Sequence, residues 1–129
     1  MIPACLRVLL CATPVDMRRS FDSLAKLVVE KLEDDPTIEG AMFVFVNAKR
    51  DKVKVLWRDT NGFCLLYKRW DDDVAALPEI PDGTTRVTMD AATLARLLDG
   101  AALKASTPAP PTTRDVVRAG RALAAAMLR

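Results

Sequence analysis

The sequence predicts an α+β fold, in which an antiparallel β-sheet carries helices packed against it. Residues 41–70 contain three consecutive segments rich in β-branched and aromatic residues, and the connections between them are short. Apolar residues at helical spacing occur both before and after this region. With 129 residues, half of them apolar and 28% charged, the chain has the length and balance of one globular domain.

The first predicted strand is the segment CLRVLLCA at residues 5–12. It is the part of the chain most similar to a signal peptide, but an arginine interrupts it and no basic leader precedes it. A loop through Pro14 then leads to the main helix, which is predicted over residues 17–33 with Asp16 as its N-cap. The apolar positions of this helix are Phe21, Leu24, Leu27 and Val28.

Two arginines, Arg18 and Arg19, fall in or beside the first turn of the predicted helix. The helix dipole is positive at this end and disfavours cations. Either Asp16 serves as an internal counter-ion, or an external anion such as a DNA phosphate lies nearby. The sequence leaves both interpretations open.

Three strands are predicted after the break at Pro36 and Gly40: MFVFVN, KVKVLWRD and GFCLLYKRW. Their short connections predict an antiparallel meander. The segment VAALPEI at residues 74–80 also fits an edge strand, which Pro78 would limit.

Alternation of side chains divides the meander into two faces. One face is apolar and is expected to seat the main helix, with Trp57 buried in the contact; it comprises Met42, Val44, Val46, Val53, Val55, Trp57, Cys64, Leu66 and Lys68. The other face mixes cations with aromatic residues; it comprises Phe43, Phe45, Lys52, Lys54, Leu56, Arg58, Phe63, Leu65, Tyr67 and Arg69.

The predicted domain covers residues 1–103 and closes with a short second helix. Thr88 is the expected cap of this helix, Asp90 suits its first turn, and Gly100 suits its C-terminal end. A Pro-rich linker follows at residues 104–113, and a C-terminal amphipathic helix at residues 114–129.

The C-terminal helix has an apolar stripe that needs a partner and an arginine stripe on its opposite side. The apolar stripe fits docking on its own domain, on a second copy in a homo-oligomer, or on another protein. The arginines fit either DNA phosphates or solvent. Deleting residues 106–129 should therefore change the oligomeric mass or the stability of the protein.

Several classes of chemistry are excluded or disfavoured by composition. The absence of histidine removes Ser-His and Cys-His nucleophile pairs and histidine metal ligands. Three cysteines without CxxC spacing make a disulfide framework or a zinc site improbable. Residues 71–73, DDD, are expected to form a solvated loop and not a metal site. No metal, cofactor or catalytic residue is predicted. No apolar run approaches the ~20 residues of a membrane span, and a cytoplasmic protein is expected.

Charge is segregated along the chain. Residues 41–70 carry seven basic and two acidic side chains, a net charge of +5, whereas residues 71–103 carry two basic and seven acidic side chains, a net charge of −5. The basic segment combines cations, which attract phosphates, with aromatic rings, which can stack on bases. The alternative is an ordinary half-buried face whose long basic side chains cover apolar rings.

Three segments occur in one order and at plausible spacing: PVDMRRSFDSLAKLV, MFVFVNAKRDKVKVLWRDTNGFCLLYKRW and VTMDAATLARLLDG. Together they resemble the small TnpB accessory protein of the insertion sequence 66 family of bacterial transposable elements, over residues 2–103. The resemblance implies a helper in transposition, encoded beside a larger protein that carries the transposase chemistry. It implies no catalytic residues.

The function predicted is therefore a non-catalytic accessory factor that binds DNA at the element ends, the partner transposase, or both. A protein–protein scaffold without DNA binding is the alternative, and a small metal-dependent nuclease is a more distant one. The predicted nucleic-acid-binding residues are Arg18, Arg19, Lys49, Arg50, Lys52, Lys54, Arg58 and Arg69.

Overall fold

Nine elements of regular secondary structure occur within residues 7–102, the part of the chain that the computed structural model describes. In chain order they are β1 (Arg7–Cys11), α1 (Phe21–Glu30), β2 (Ala41–Val46), β3 (Lys52–Asp59), β4 (Gly62–Arg69), β5 (Asp73–Val74), β6 (Arg86–Met89), α2 (Ala91–Asp99) and β7 (Ala101–Ala102). The predicted linker at 104–113 and the C-terminal helix at 114–129 lie outside the described residues. Neither α1 nor α2 is long and apolar enough to cross a membrane.

Five strands form one sheet in the order β4-β3-β2-β1-β6. The strands β2, β3 and β4 are the predicted antiparallel meander. Trp57 of β3 lies opposite Met42 on one side and Cys64 on the other, so all three side chains share a face. The α+β class and the division of the meander into two faces are thus confirmed.

The expectation of a wholly antiparallel sheet is wrong, because β1 and β2 run parallel. The chain passes through α1 between these two strands, as a parallel pair requires a crossover connection. On its other side, β1 pairs antiparallel with β6, which the sequence analysis does not predict. A strand of four residues directly before a helix offers too few positions for a period of two to be recognised.

The segment at 74–80 is an edge strand only at its first residue. Val74 of β5 pairs with Ala101 of β7 in a separate two-stranded sheet. The rest of the segment packs on the core cluster that contains Trp57: Ala75 is buried in this cluster, and Leu77 and Ile80 are partly buried against it.

The main helix is shorter than predicted and has a different cap. It spans ten residues, Phe21–Glu30, and Ser20 occupies the N-cap position without a side-chain capping bond. Asp16 is therefore not the cap, and Arg18 and Arg19 precede the helix instead of lying in its first turn.

Helices cover both faces of the sheet. Leu24, Leu27 and Val28 of α1 belong to one core cluster together with Phe43 and Phe45. The leucines of α2, Leu94, Leu97 and Leu98, belong to the other cluster with Trp57. The prediction that the main helix sits on the Trp57 face is therefore wrong, since α2 occupies that face. The handedness of a β–α–β crossover selects the side on which its helix lies, whichever face is the more apolar.

The caps of α2 differ from the prediction at one end only. Asp90 is its N-cap, and the Asp90 carboxylate accepts a hydrogen bond from the Thr93 N–H at 2.8 Å. Thr88 is instead part of β6. Gly100 ends the helix as predicted, with a φ of 88°. A Cβ atom at Gly100 would lie 2.7 Å from Nε1 of Trp70, so this position needs glycine for space as well as for conformation.

Candidate nucleic-acid interface

A cleft of about 530 Å³ opens between the segment that follows β1 and the hairpin that joins β2 to β3. We call it the basic cleft, because its lining contains three cations and one carboxylate. The residues that line it are Pro14, Val15, Asp16, Met17, Arg18, Asn47, Ala48, Lys49, Lys52 and Tyr67.

One wall of the basic cleft is the segment after β1. The Val15 N–H donates to the carbonyl oxygen of Val46 at 2.9 Å, which ties this wall to the end of β2. The Asp16 carboxylate accepts from the Arg18 N–H at 2.9 Å and contacts the Arg18 guanidinium at 2.6 Å. The hydrogen bond and the charge of Arg18 lower the pKa of Asp16 to about 2. The Arg18 side chain is nevertheless 91% exposed, so it remains accessible to a ligand.

The opposite wall is the hairpin that carries Lys49 and Lys52, and Asn47 fixes its shape. The Asn47 side-chain oxygen accepts from the Lys52 N–H at 3.0 Å, and its nitrogen donates to the Asp51 carboxylate at 2.7 Å. The hydrogen bond from Asn47 lowers the pKa of Asp51. Arg50 adopts a positive φ of 61°, which closes the turn. The two lysines are thus presented on a turn that is held by hydrogen bonds.

Tyr67 of the basic cleft contacts a buried lysine. Lys54 is only 6% exposed, and its ammonium donates to the carbonyl oxygen of Arg19 at 2.6 Å. The same ammonium lies 4.6 Å from the centroid of the Tyr67 ring. The sequence predicts Lys54 among the cations of an exposed face. It is buried instead, where it joins the segment that precedes α1 to the Tyr67 ring.

The structure brings some of the eight predicted residues together and separates others. Arg18, Lys49 and Lys52 line the basic cleft. Arg69 is exposed and lies opposite Lys52 on the neighbouring strand. Lys54 lies on the same face as Tyr67, directly opposite it in the strand pair.

Lys54 and Arg69 are neighbours of the lining residues Tyr67 and Lys52, whereas the remaining three predicted residues make their contacts elsewhere. Arg19 directs its guanidinium to the Ser23 hydroxyl at 2.8 Å. Arg50 lines a smaller apolar pocket on the other side of the hairpin. Arg58 stacks on the Phe63 ring, with 5.0 Å between the guanidinium carbon and the ring centroid. It lies six residues along β3 from Lys52, a separation of about 20 Å at the strand rise.

Sequence reasoning missed one residue that shapes the cleft. Asn47 appears in the sequence only as the last residue of a predicted strand, although Asn at a hairpin is a known turn residue. This signal is local and could have been found. For Asp16 the sequence offers a role as counter-ion of the two arginines, and the structure shows that contact with Arg18, in a local turn in which the carboxylate accepts the N–H two residues later.

The chemistry of the cleft suits binding of an anion. Within residues 7–102 there is no group of three or more Cys, Asp or Glu side chains able to hold a metal ion. The three aspartates at 71–73 are exposed. The cations of the cleft, by contrast, converge with an aromatic ring in one concavity.

Comparison with known proteins gives one family and two relatives. The family model described as IS66 Orf2 like protein matches residues 6–108. Uncharacterized protein y4hO of Sinorhizobium fredii is 36% identical over 95 residues, which cover 74% of this chain and 80% of the relative. Uncharacterized protein y4jC of the same organism is 30% identical over 83 residues, covering 64% of this chain and 70% of the relative. No solved structure gives a significant match.

Proposed function

Because the chain belongs to the IS66 Orf2 like family of transposition-associated accessory proteins, we propose that it assists transposition by binding DNA at the ends of an insertion sequence. It does so without catalysing the chemical steps, which belong to the partner transposase. The basic cleft is the surface that contacts the DNA. Membership of the family indicates a role in transposition and names no ligand; DNA is the ligand that we propose.

The observation that carries the proposal is the convergence of Arg18, Lys49 and Lys52 around one concavity. Cations spread evenly over a surface serve solubility, whereas cations gathered around one concavity can contact neighbouring phosphates of one nucleic-acid backbone. The walls are held by the Val15 and Asn47 hydrogen bonds, so little conformational entropy is lost on binding. Asp16 partly offsets the positive charge, which favours moderate affinity.

A salt titration of DNA binding tests the proposal. Wild-type protein and an Arg18→Ala, Lys49→Ala variant are titrated into labelled element-end DNA between about 50 and 200 mM salt. The variant should bind more weakly to all sequences, and the magnitude of its log K versus log[salt] slope should fall by roughly 1–2, one unit for each lost phosphate contact.

The matched control removes the same charge from α1 and its C-terminal cap. Lys26 of α1 and Lys31, which follows the helix, are exposed and lie outside the basic cleft, so Lys26→Ala with Lys31→Ala should leave the slope unchanged. An equal loss of DNA affinity in the two double variants would mean that the net charge of the protein, and not the basic cleft, governs binding. Failure of the wild-type protein to bind DNA at low salt would exclude the proposal.

A protein–protein scaffold is the second candidate function, and exposed apolar side chains on α1 favour it. Phe21 is 42% exposed and Val29 is 57% exposed, which suits a contact with the partner transposase. Pull-down of the transposase with and without element-end DNA separates the two functions. Capture that is independent of DNA and is lost in Phe21→Ser with Val29→Ser supports the scaffold.

A further inference from the structure

Tyr67 is unusual among the aromatic residues of the sheet because half of its surface, 53%, is exposed. Phe43 and Phe45 are fully buried in the core under α1, and Phe63 is packed against that core. Tyr67 belongs to neither core cluster of the described residues. Its ring therefore contributes little to packing and is available at the basic cleft.

The position of the Tyr67 ring is fixed by a buried cation. The Lys54 ammonium lies over the ring and is itself anchored on the carbonyl oxygen of Arg19. A cation over one face of a ring is attracted to its π-electrons and holds the ring in place. Because the residue remains 53% exposed, part of the ring surface is open to a planar ligand, which can pack on it in an offset stack.

The surroundings of the ring carry the phosphate-binding groups. Arg18, Lys49 and Lys52 line the same cleft as Tyr67, and its volume of about 530 Å³ is in the range of small-ligand sites. A flat aromatic surface flanked by cations is the arrangement used to bind single-stranded nucleic acid, in which bases stack and phosphates contact basic side chains. The bases of an intact duplex are stacked on each other and present only their edges, so they cannot cover the ring.

On the basis of the proposed function, we infer that the basic cleft takes an unpaired nucleotide, with its base stacked on Tyr67 and its flanking phosphates on Arg18, Lys49 and Lys52. The ligand class is single-stranded DNA, or duplex DNA with a frayed or extruded base. Duplex DNA with every base paired binds through the cations alone and makes no use of the ring.

Binding is measured with three DNAs: a single strand, a fully paired duplex, and the same duplex with unpaired bases at one end. Tyr67→Leu removes the ring but keeps an apolar side chain, and should weaken binding to the two DNAs with unpaired bases by roughly 5- to 100-fold. Binding to the paired duplex and the salt slope should stay as in the wild type, since no phosphate contact is lost. Tyr67→Phe keeps the ring and should bind like the wild type.

Phe63→Leu is the matched control, because Phe63 lies on the same strand and face and also carries a cation, Arg58, over its ring. It lies away from the basic cleft and should not change binding to any of the DNAs. Melting curves of all variants establish that they are folded.

A photo-crosslink to the wild-type protein provides a second measurement that does not depend on the folding of a variant. A single strand containing 5-iodouracil should crosslink to Tyr67, as identified by mass spectrometry of the digested complex. The inference is overturned if crosslinks form only elsewhere, or if Tyr67→Leu binds the single strand normally. If Arg18→Ala with Lys49→Ala still lowers duplex binding in that case, the proposed function stands and only the stacking is refuted.

Discussion

At the scale of single residues, the proposed DNA contact makes Asp16 a competitor of the phosphates for Arg18. Its carboxylate accepts from the Arg18 guanidinium through both oxygens. Asp16→Asn removes this charge but keeps an oxygen that can accept the Arg18 N–H, so the local turn is preserved. We expect DNA binding at low salt to become severalfold tighter, and the magnitude of the salt slope to rise by up to about 1.

The control for Asp16→Asn is Asp35→Asn. The Asp35 carboxylate makes a similar local turn, accepting the Thr37 N–H at 2.9 Å, but it lies in the connection between α1 and β2, outside the basic cleft. A rise in affinity for Asp16→Asn alone would agree with competition for Arg18. Weaker binding by Asp16→Asn would instead mean that Asp16 holds Arg18 in the orientation that DNA requires.

Trp57 is one of two tryptophans in the core under α2, and it is 3% exposed. Trp57→Ala should lower the free energy of unfolding by about 3–5 kcal/mol, because a cavity replaces the indole ring. The buried indole N–H of Trp57 has no hydrogen-bond partner among the described residues. Trp57→Phe should therefore cost clearly less than Trp57→Ala, since it removes an unsatisfied donor. Denaturant unfolding measures both, and an unchanged midpoint for Trp57→Ala would contradict its placement in the core.

At the scale of elements, substitutions at the start of α2 distinguish Asp90 from Thr88 as the residue that caps the helix. Asp90→Ala removes the acceptor of the hydrogen bond from the Thr93 N–H and should lower the free energy of unfolding. Thr88→Ala, the substitution at the cap expected from the sequence, should cost less, because Thr88 is an exposed residue of β6. Denaturant unfolding compares the two variants, and a larger loss for Thr88→Ala would place the cap there.

The Asp90 cap also has a defined pH dependence. The hydrogen bond from Thr93 lowers the pKa of Asp90 in the folded protein. The stabilisation is therefore complete above the unfolded pKa, near 3.9, and is lost as the pH falls through the lower folded pKa. The difference in stability between the wild type and Asp90→Ala should accordingly shrink below about pH 4.

At the scale of the whole molecule, Asp34 joins three segments that are distant in sequence. It follows α1, accepts from Arg7 of β1 at 2.8 Å, and has Arg86 of β6 at 3.8 Å. Arg86 also donates to the carbonyl oxygen of Leu32 at 2.8 Å. These contacts hold the connection after α1 against β1 and the edge strand β6.

Burial of the Asp34 carboxyl raises its pKa, but the hydrogen bonds from Arg7 and from the Asp35 N–H, and the charges of Arg7 and Arg86, hold the pKa below its usual range overall. The stabilisation is therefore present above the unfolded pKa and is lost as the pH falls through the folded pKa. Asp34→Asn should lower the free energy of unfolding near pH 7 by about 1–2 kcal/mol. It should also flatten the loss of stability as the pH falls below about 4.

Thermal unfolding as a function of pH measures the contribution of Asp34 to the stability of the protein. Glu39→Gln is its control, because it removes one carboxylate from an exposed position in the same connection. The role given to Asp34 would be refuted if Asp34→Asn and Glu39→Gln had the same pH profile of stability.

The sequence by itself determined the meander and its two faces. Alternation with a period of two assigns each strand residue to a side, and a short hairpin fixes the register between neighbouring strands. Trp57, Leu66 and Val44 consequently lie on the predicted face. The family resemblance was also readable from the sequence, because the motifs that carry it lie in these local elements and around α1 and α2.

Only the tertiary structure decided which helix covers which face. That choice depends on the parallel pairing of β1 with β2 and on the crossover between them, which join residues far apart in sequence. The contact of the buried Lys54 ammonium with the Arg19 carbonyl also joins residues far apart in sequence. The tertiary structure also decided that Arg18, Lys49 and Tyr67 line one cleft. Periodicity describes neighbours along one element and carries no information about the distance between separate loops.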